Sequence, residues 1–256
     1  MTDRTPAIDE RRLWSDLMAL AEITDPARPW TRRSFTPLFD QGRDWLRRRF
    51  AEAGLAVRLD AAANLFGRLE GREPGRPVVM LGSHSDSVPS GGRFDGPAGV
   101  IAALEVARAL RESGRRLRHP VEVVDCLAEE PSDFGLSCIG SRAIAGLLAP
   151  EMLDYRGPGG ERLGDAIDRV GGDTARLATA RRSDVAAFLE LHIEQGVVLE
   201  RSRTDIGIVT GIVGIVRLEL VFLGEAAHAG TMPMAMRRDA GVAAARLVGF
   251  VSERAR

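Results

Sequence analysis

Apolar side chains recur every three or four positions in several segments of this chain, and this spacing predicts amphipathic helices. In residues 97–113 the apolar set lines one face and is followed by Gly114, a residue type that commonly ends a helix. Residues 150–183 look helical but are broken by glycines, so we expect irregular turns there. Further helices are predicted over residues 9–24, 36–53, 141–148 and 238–255.

Short apolar runs between these segments predict strands. Residues 78–82, 121–128 and 185–193 are almost continuously apolar, which is typical of strands buried in a parallel sheet. Because they alternate with predicted helices, the chain has the pattern of an α/β protein. Shorter strand candidates are residues 57–59 and 64–69.

The pattern changes near residue 206. Residues 206–214 are glycine-rich and apolar and are a candidate hinge, while residues 216–223 alternate strictly between apolar and polar. Such alternation predicts a half-exposed antiparallel strand. We therefore place residues 1–211 in one domain and residues 212–256 in the first βα unit of a second one. One strand and one helix cannot bury their own apolar face, so the sequence resembles the front part of a longer protein.

Composition narrows the classes of function. The chain has 256 residues, of which 45% are hydrophobic and 28% charged, enough apolar surface to form a core. A net charge of −1 gives no reason to expect nucleic acid or an anionic membrane as a partner. Cys126 and Cys138 are too few for a disulfide framework. Since no apolar run approaches the roughly 18 residues of a membrane span, we expect a cytoplasmic protein with reduced thiols.

Metal-ligating residue types follow the predicted strands. His84 and Asp86 come after the strand 78–82 and share one face of an extended segment, so the aspartate can orient the imidazole. A lone histidine there is nevertheless more often structural or solvated. Asp95, just before the helix 97–113, is by itself an N-cap candidate. Its position across a Gly-Gly turn from His84 also makes it a candidate carboxylate bridge between two metals.

Two further segments deliver similar residues. Glu129 and Glu130 follow the strand 121–128, either as a solvated charge pair or as a metal ligand beside a base that deprotonates metal-bound water. His192 is either a hydrogen-bonded core histidine or a ligand, and Glu194 is either a neighbour of the ligands or a helix N-terminal carboxylate. Strand ends that supply histidine and carboxylate side chains are how α/β metallohydrolases assemble a metal centre.

Four blocks of sequence, taken together, are more specific than any one residue. They resemble the amidase and carbamoylase branch of the M20 metallopeptidase-like family, which holds N-carbamoyl-L-amino-acid hydrolases, allantoate amidohydrolases and β-ureidopropionases. The resemblance covers nearly the whole chain. The block LHIEQG is the most specific, because it separates this branch from the plain peptidases. The blocks are GSHSDSVPSGGRFDGPAGV, AEEPSDFG followed by IGSRAIAG, LHIEQGVVLE, and AHAGTMPM followed by RRDA.

The resemblance implies a centre of two divalent metal ions, zinc or manganese, with cobalt or nickel as alternatives. Asp95 would bridge both ions. His84 and His192 would complete the protein ligands of one ion, and Glu130 would serve the other. Glu129 would be the general base.

The resemblance also implies roles around the metals and in the assembly. Asp86 would orient the imidazole of His84, and Gln195 would contact the substrate. His228 stands among small residues that let another group approach closely, although a loop histidine is usually a surface residue. By resemblance it would bind substrate by reaching into the partner subunit's site of a homodimer and polarising the scissile carbonyl.

The implied fold is α/β: a zinc-peptidase-like mixed sheet flanked by helices over residues 1–211, then the start of a smaller α+β lid and dimerisation domain over residues 212–256. The implied reaction is hydrolysis of a linear amide or ureido C–N bond in a small molecule, either an N-carbamoyl-L-amino acid or allantoate. One alternative is an M20-type dipeptidase or aminoacylase, against which the context of Gln195 argues. Another is an inactive metal-binding fragment.

Three departures from the family's pattern bear on these expectations. The last metal histidine, the substrate-carboxylate arginine and its asparagine neighbour belong to a C-terminal segment absent here, so the metal at Glu130 lacks a ligand. Residues 131–134 replace the glycine and Arg-Phe of many relatives, a change that we expect to affect substrate choice. Val197 replaces the usual proline, which we expect to be tolerated.

Overall fold

A computed structural model describes residues 5–214, 216 and 218–255. The chain divides into two compact units, Met1–Arg201 and Ser202–Arg256. The division falls before residue 211, where the sequence pattern places a domain boundary, and that boundary stays a prediction.

The first unit is built on a five-stranded mixed sheet with the strand order β1-β2-β4-β3-β5. β3, β4 and β5 run parallel, whereas β1 and β2 are antiparallel to their neighbours. The strands form where the apolar runs predict them, and the mixed α/β fold is confirmed. They are β1 (Ala56–Leu59), β2 (Leu65–Leu69), β3 (Val78–His84), β4 (Val121–Cys126) and β5 (Val185–Leu189).

Helices precede, connect and follow these strands. Residues 150–183 contain one α-helix among three short 3-10 helices, in agreement with the irregular pattern of that segment, while α6 is not predicted by the hydrophobic spacing. The helices of the first unit are α1 (Glu10–Ala21), α2 (Pro37–Glu52), α3 (Pro97–Glu112), α4 (Ile139–Ala145), α5 (Leu163–Arg169) and α6 (Val198–Ser202), with 3-10 helices at Pro150–Asp154, Pro158–Gly160 and Thr174–Ala180.

Local sequence sets where the first helices begin. The Asp9 side chain accepts a hydrogen bond from the amide of Arg12 at the start of α1, and Thr36 accepts one from Phe39 at the start of α2. These contacts satisfy amide groups that the first turn of a helix leaves unpaired. Pro37 occupies the first position of α2, where its fixed φ suits the helix.

The core lies on both faces of the sheet. On one face, completely buried side chains of α1, α2 and α3, including Leu20, Phe50 and Leu104, pack together with Val123 of β4. The next residue, Val124, belongs to a separate cluster because successive strand residues point to opposite faces. Each fully buried apolar side chain contributes roughly 1.5–3 kcal/mol relative to exposure. This packing holds β3 and β4 rigidly beneath the site described below.

The predicted buried strand over residues 185–193 differs from the structure. β5 ends at Leu189 and pairs only with β3 among the strands of the described residues. Phe188 and Leu189 are 49% and 55% exposed, so the prediction of a buried strand is wrong here. The physical reason is that β5 is an edge strand, and the described residues of its own unit do not cover these side chains.

The predicted strand over residues 216–223 is also wrong. The described residues 216 and 218–223 are in neither helix nor strand, and residue 217 lies outside the described part of the chain. A strand needs a hydrogen-bonded partner, and no described residue of the second unit lies in a strand. This unit contains a 3-10 helix at Met234–Met236 and the predicted C-terminal helix, α7 (Ala240–Arg254), which is capped by Asp239.

Two bulk features of the chain complete this description. Cys126 and Cys138 are both free, the first buried and the second half-buried. Among the described residues, every helix is too short or too polar to cross a membrane.

Candidate metal centre

The site lies where the three parallel strands end. His84 is the last residue of β3, Glu129 and Glu130 follow β4, and His192 follows β5. The carboxyl ends of parallel strands meet at one edge of a sheet, which is where ligands bind in open α/β folds. The topology therefore brings residues that are distant in sequence to the same place.

His84 and His192 form a compact group with Asp95, which lies just before α3. One ligand atom from each of His84, Asp95 and His192 lies within 4.8 Å of the others. The Nε2 atom of His192 is 3.2 Å from Oδ1 of Asp95. His84 and Asp95 are buried, whereas the His192 side chain is 36% exposed and is therefore not a core histidine. Two imidazoles and a carboxylate are a donor set that suits zinc and similar divalent ions.

Gly96 makes room for this group. It has a φ of +80°, and a Cβ there would lie 2.4–2.6 Å from atoms of the His84 ring. The ring therefore packs directly against the backbone at the start of α3. Gly96, not Asp95, occupies the N-cap position of α3, and no side chain caps this helix. The N-cap role considered for Asp95 is thus not the one that the structure shows.

Asp86 is fully buried and contacts both sides of the site. Its Oδ1 lies 3.5 Å, and its backbone oxygen 3.0 Å, from Nδ1 of His84. The same carboxylate accepts hydrogen bonds from the amides of Glu129 and Glu130, both at 3.2 Å. Asp86 thus contacts both the imidazole at the end of β3 and the backbone of the glutamate pair after β4, and it leaves Nε2 of His84 available as a ligand.

The electrostatics of His84 reflect this arrangement. Burial lowers the pKa of the imidazole, but the hydrogen bond with Asp86 and the negative charges of Asp86 and Glu129 outweigh burial, and the pKa rises to about 9. The carboxylates around the ring favour a positive charge at this position, which is either a proton on the imidazole or a cation bound by its neutral form.

Glu129 and Glu130 differ in their surroundings. Oε2 of Glu129 lies 3.6 Å from Nε2 of His84, and the Glu129 side chain is 40% exposed. Burial and the charge of Asp95 raise the pKa of Glu130 to about 7. Two carboxyl groups close together resist ionisation because their negative charges repel each other. A cation close to Glu130 and Asp95 would relieve this repulsion, and the role of Glu130 as a metal ligand stays a prediction.

The backbone around the glutamates is held by α4. Ala128 adopts a positive φ of 47°, which turns the chain after β4. The amide of Cys138 donates to the carbonyl of Glu129 at 2.8 Å, and the amide of Ile139 donates to the carbonyl of Ala128 at 3.0 Å. The segment that carries both glutamates is thus fixed by two hydrogen bonds, from the N-cap and the first residue of α4, as well as by Asp86.

The residues after β5 have distinct contacts. Nδ1 of His192 lies 2.8 Å from the backbone oxygen of Ile193, which leaves Nε2 facing Asp95. The Glu194 carboxylate accepts hydrogen bonds from the backbone amides of residues 198 and 199. It is therefore the helix N-terminal carboxylate considered from the sequence. The side-chain amide of Gln195 donates to Oδ2 of Asp95 at 2.6 Å. The structure therefore places Gln195 on a candidate ligand, and its contact with substrate stays a prediction.

His228 belongs to the second unit. Its Nδ1 accepts a hydrogen bond from the amide of Gly230 at 3.1 Å, and it is exposed. His84, Asp95 and His192 all belong to the first unit, and the role of His228 across a dimer stays a prediction.

The fold and the donor set define an α/β protein with a candidate metal centre at the ends of its parallel strands. The chain belongs to peptidase family M20/M25/M40, whose sequence model matches residues 80–253. This membership confirms the resemblance drawn from the motifs.

Individual relatives narrow the similarity. The chain is 46% identical to an N-carbamoyl-L-amino acid amidohydrolase of Geobacillus stearothermophilus, over 97% of this chain and 62% of that protein. It is 38% identical to the allantoate amidohydrolase of Escherichia coli, over 98% and 60% of the two chains. It is 36% identical to a ureidoglycolate hydrolase of Arabidopsis thaliana, over 94% and 52%. The chain thus spans between about half and three fifths of these curated relatives.

Solved structures give the same picture. An amidase of the hydantoinase/carbamoylase family from Burkholderia multivorans matches with a TM-score of 0.81 and 36% identity, over 98% of this chain and 61% of that one. Another amidase of the hydantoinase/carbamoylase family, from Burkholderia ambifaria, matches with a TM-score of 0.78 and 37% identity, over 95% of this chain and 59% of that one.

Proposed function

We propose that this chain supplies the metal-binding and general-base residues of a hydrolase that cleaves linear amide or ureido C–N bonds. The preferred substrates are N-carbamoyl-L-amino acids or allantoate. The observation that carries the proposal is the group of His84, Asp95 and His192 with Glu129 beside it. The names of the relatives support the substrate class, since they include both carbamoyl-amino-acid and allantoate amidohydrolases.

We propose that these side chains hold two divalent ions. His84, Asp95 and His192 would hold one ion, while Asp95 and Glu130 would serve a second. Bound divalent ions of this kind polarise a substrate carbonyl and bring the pKa of water near about 7. We propose zinc or manganese, because imidazole and carboxylate ligands suit both.

The chain's own residues would handle the proton and the substrate. Oε2 of Glu129 faces the group around His84, so Glu129 would take the proton from the attacking water and pass it to the leaving nitrogen as the C–N bond breaks. A carbamoyl product would then decompose to ammonia and carbon dioxide. Asp86 would keep the His84 ring in one orientation. His228 from the partner subunit of a homodimer would polarise the carbonyl, and Gln195 would contact the substrate.

A second candidate is a chain that binds metal but does not turn over substrate by itself. Its support is the exposure of His192 and of Leu191 beside it, since an open site admits bulk water. A peptidase activity on dipeptides is the other alternative within the family.

The test is an ammonia-release assay on the 256-residue chain, stripped of metal and reloaded with Zn²⁺ or Mn²⁺. The panel contains N-carbamoyl-L-amino acids and allantoate, with dipeptides assayed by the release of amino acids. The proposal predicts turnover of a carbamoyl or ureido substrate that disappears on chelation and in Glu129→Gln. Metal binding without turnover of any substrate would favour the second candidate, and activity on dipeptides alone would establish the peptidase.

A further inference from the structure

Ser85 is the residue between His84 and Asp86, and it is completely buried. Its hydroxyl donates a hydrogen bond to Oδ2 of Asp125 at 3.0 Å. Its carbonyl accepts one from Nε of Arg32, also at 3.0 Å. The peptide segment that carries a candidate ligand and its orienting carboxylate is therefore held through both a side chain and the backbone.

Asp125 is itself unusual. It lies in β4 with a completely buried side chain, and Oδ2 is also 3.1 Å from a guanidinium nitrogen of Arg43. Its other oxygen, Oδ1, has no hydrogen-bond partner among the described residues. Burial raises the pKa of this carboxyl group. A buried carboxylate with one unsatisfied oxygen is costly, so its presence in an apolar strand needs a reason.

A buried carboxylate can join helices or position a neighbouring segment, and a comparison with Asp16 separates these two roles. Asp16 is also a buried carboxylate, but Arg49 contacts one of its oxygens at 2.5 Å and Arg108 the other at 2.7 Å. Asp16 therefore has the saturated contacts expected of a group that joins helices. Asp125 is left partly unsatisfied, and among the described residues the one side-chain hydroxyl that it binds belongs to Ser85.

We propose that Asp125 is a positioning residue for the candidate metal centre and that it acts through the hydroxyl of Ser85 on His84 and Asp86. Arg43 holds Asp125 in place. The inference rests on the proposed function in one respect, since it requires that His84 bind a metal ion.

The expected effect follows from the way outer contacts orient metal ligands. Loss of the hydroxyl lets the segment from His84 to Asp86 shift, and changes of this kind typically weaken metal binding by roughly 10–100-fold. We expect about a tenfold weaker Zn²⁺ affinity in Ser85→Ala, at the lower end of that range because Arg32 still binds the backbone of residue 85.

The experiment measures the Zn²⁺ affinity of the 256-residue chain by competition with a chromophoric chelator. The melting temperature of the metal-free chain is recorded in parallel. Ser113→Ala is the control for Ser85→Ala, because the Ser113 hydroxyl donates to the carbonyl of Leu110 near the far end of α3. Asp16→Asn is the control for Asp125→Asn, because each substitution removes a buried negative charge that forms an ion pair with arginine.

The proposal predicts that both aspartate variants melt at lower temperature but that only Asp125→Asn binds Zn²⁺ more weakly. The double variant Ser85→Ala/Asp125→Asn should bind no more weakly than Asp125→Asn, since one path carries both effects. Multiplicative losses would overturn the path through Ser85. If Asp125→Asn does not fold, the Zn²⁺ affinity of Ser85→Ala compared with that of Ser113→Ala decides whether the positioning role holds.

The results also separate the inference from the proposed function. A wild-type chain that binds no Zn²⁺ would contradict the proposed metal centre itself. Tight binding by the wild type together with unchanged affinity in Ser85→Ala would overturn the positioning role and leave the metal centre standing.

Discussion

The replacement of Gly96 by alanine tests the geometry around His84 most sharply. A Cβ at this position would lie 2.4 Å from Cε1, 2.5 Å from Nδ1 and 2.6 Å from Nε2 of the imidazole. The ring must retreat or the start of α3 must move. Gly114 is a matched control, because it also has a positive φ, 67°, but no atom lies within 4 Å of its built Cβ.

The Gly96→Ala substitution has two effects, backbone strain and a clash with the His84 ring, and their magnitudes can be separated. A side chain at positive φ costs roughly 1–3 kcal/mol, and each kcal/mol lowers the melting temperature of a chain of this size by about 2–4 °C. Both glycine variants carry this strain. Only Gly96→Ala also forces the ring and the start of α3 apart, by about 1 Å if ordinary contact begins at 3.4 Å. Metal–ligand distances hold to within about 0.2 Å, so a ring moved this far no longer binds the ion.

The assay compares the Zn²⁺ affinity and the metal-free melting temperature of both variants with those of the wild type. We expect both to melt a few degrees lower. Gly114→Ala should bind Zn²⁺ normally, whereas Gly96→Ala should lose more than the roughly 10–100-fold that follows changes in outer contacts. Wild-type Zn²⁺ affinity in Gly96→Ala would refute the assignment of His84 as a ligand.

Three further predictions concern other parts of the chain. Glu129→Gln should retain its metal and lose turnover by at least about 10²-fold, and a near-normal rate would show that another group is the base. His228→Ala should bind Zn²⁺ like the wild type but turn over substrate more slowly; weakened metal binding would contradict its assignment to substrate alone. Hydrogen bonds from Arg118 and Arg76 lower the pKa of Glu73 to about 2, so its contribution to stability is present above about pH 4.5 and is lost as the pH falls towards 2. Acid unfolding of Glu73→Gln should lack this component, and identical pH profiles would rule the contribution out.

The central part of the fold could be predicted from the sequence because its elements are specified locally. The helix at Pro97–Glu112 and the strand at Val78–His84 carry their own hydrophobic period and their own boundary residues. His84 and His192 could be singled out because they follow predicted strands, and Asp95 because it lies across a Gly-Gly turn from His84. The convergence of the three depends on parallel strand order, which the α/β alternation implies.

The errors arise where structure depends on other segments. The apolar run at 185–193 predicts burial, but burial requires a covering layer, and β5 lies at an edge. The alternation at 216–223 predicts a strand, but strand formation requires a partner. The hydropathy pattern of a segment predicts neither the layer that would cover it nor the strand that would pair with it.

Contacts inside the site were missed for a related reason. The hydrogen bonds of Asp86 with two glutamate amides, and of Gln195 with Asp95, join residues distant in sequence. The sequence does contain one sign of a buried polar contact near the site. Asp125 is a carboxylate within the otherwise apolar end of the run 121–128. A charge in such a place indicates a specific buried partner, although the sequence does not identify Ser85.

The most direct test of the account is an anomalous-scattering map from crystals of this chain grown with Zn²⁺ and measured at the zinc edge. The account predicts a zinc peak at the carboxyl ends of the parallel strands, in contact with His84, Asp95 and His192. A map with no peak at these three side chains, from a chain that is otherwise well ordered, would contradict it.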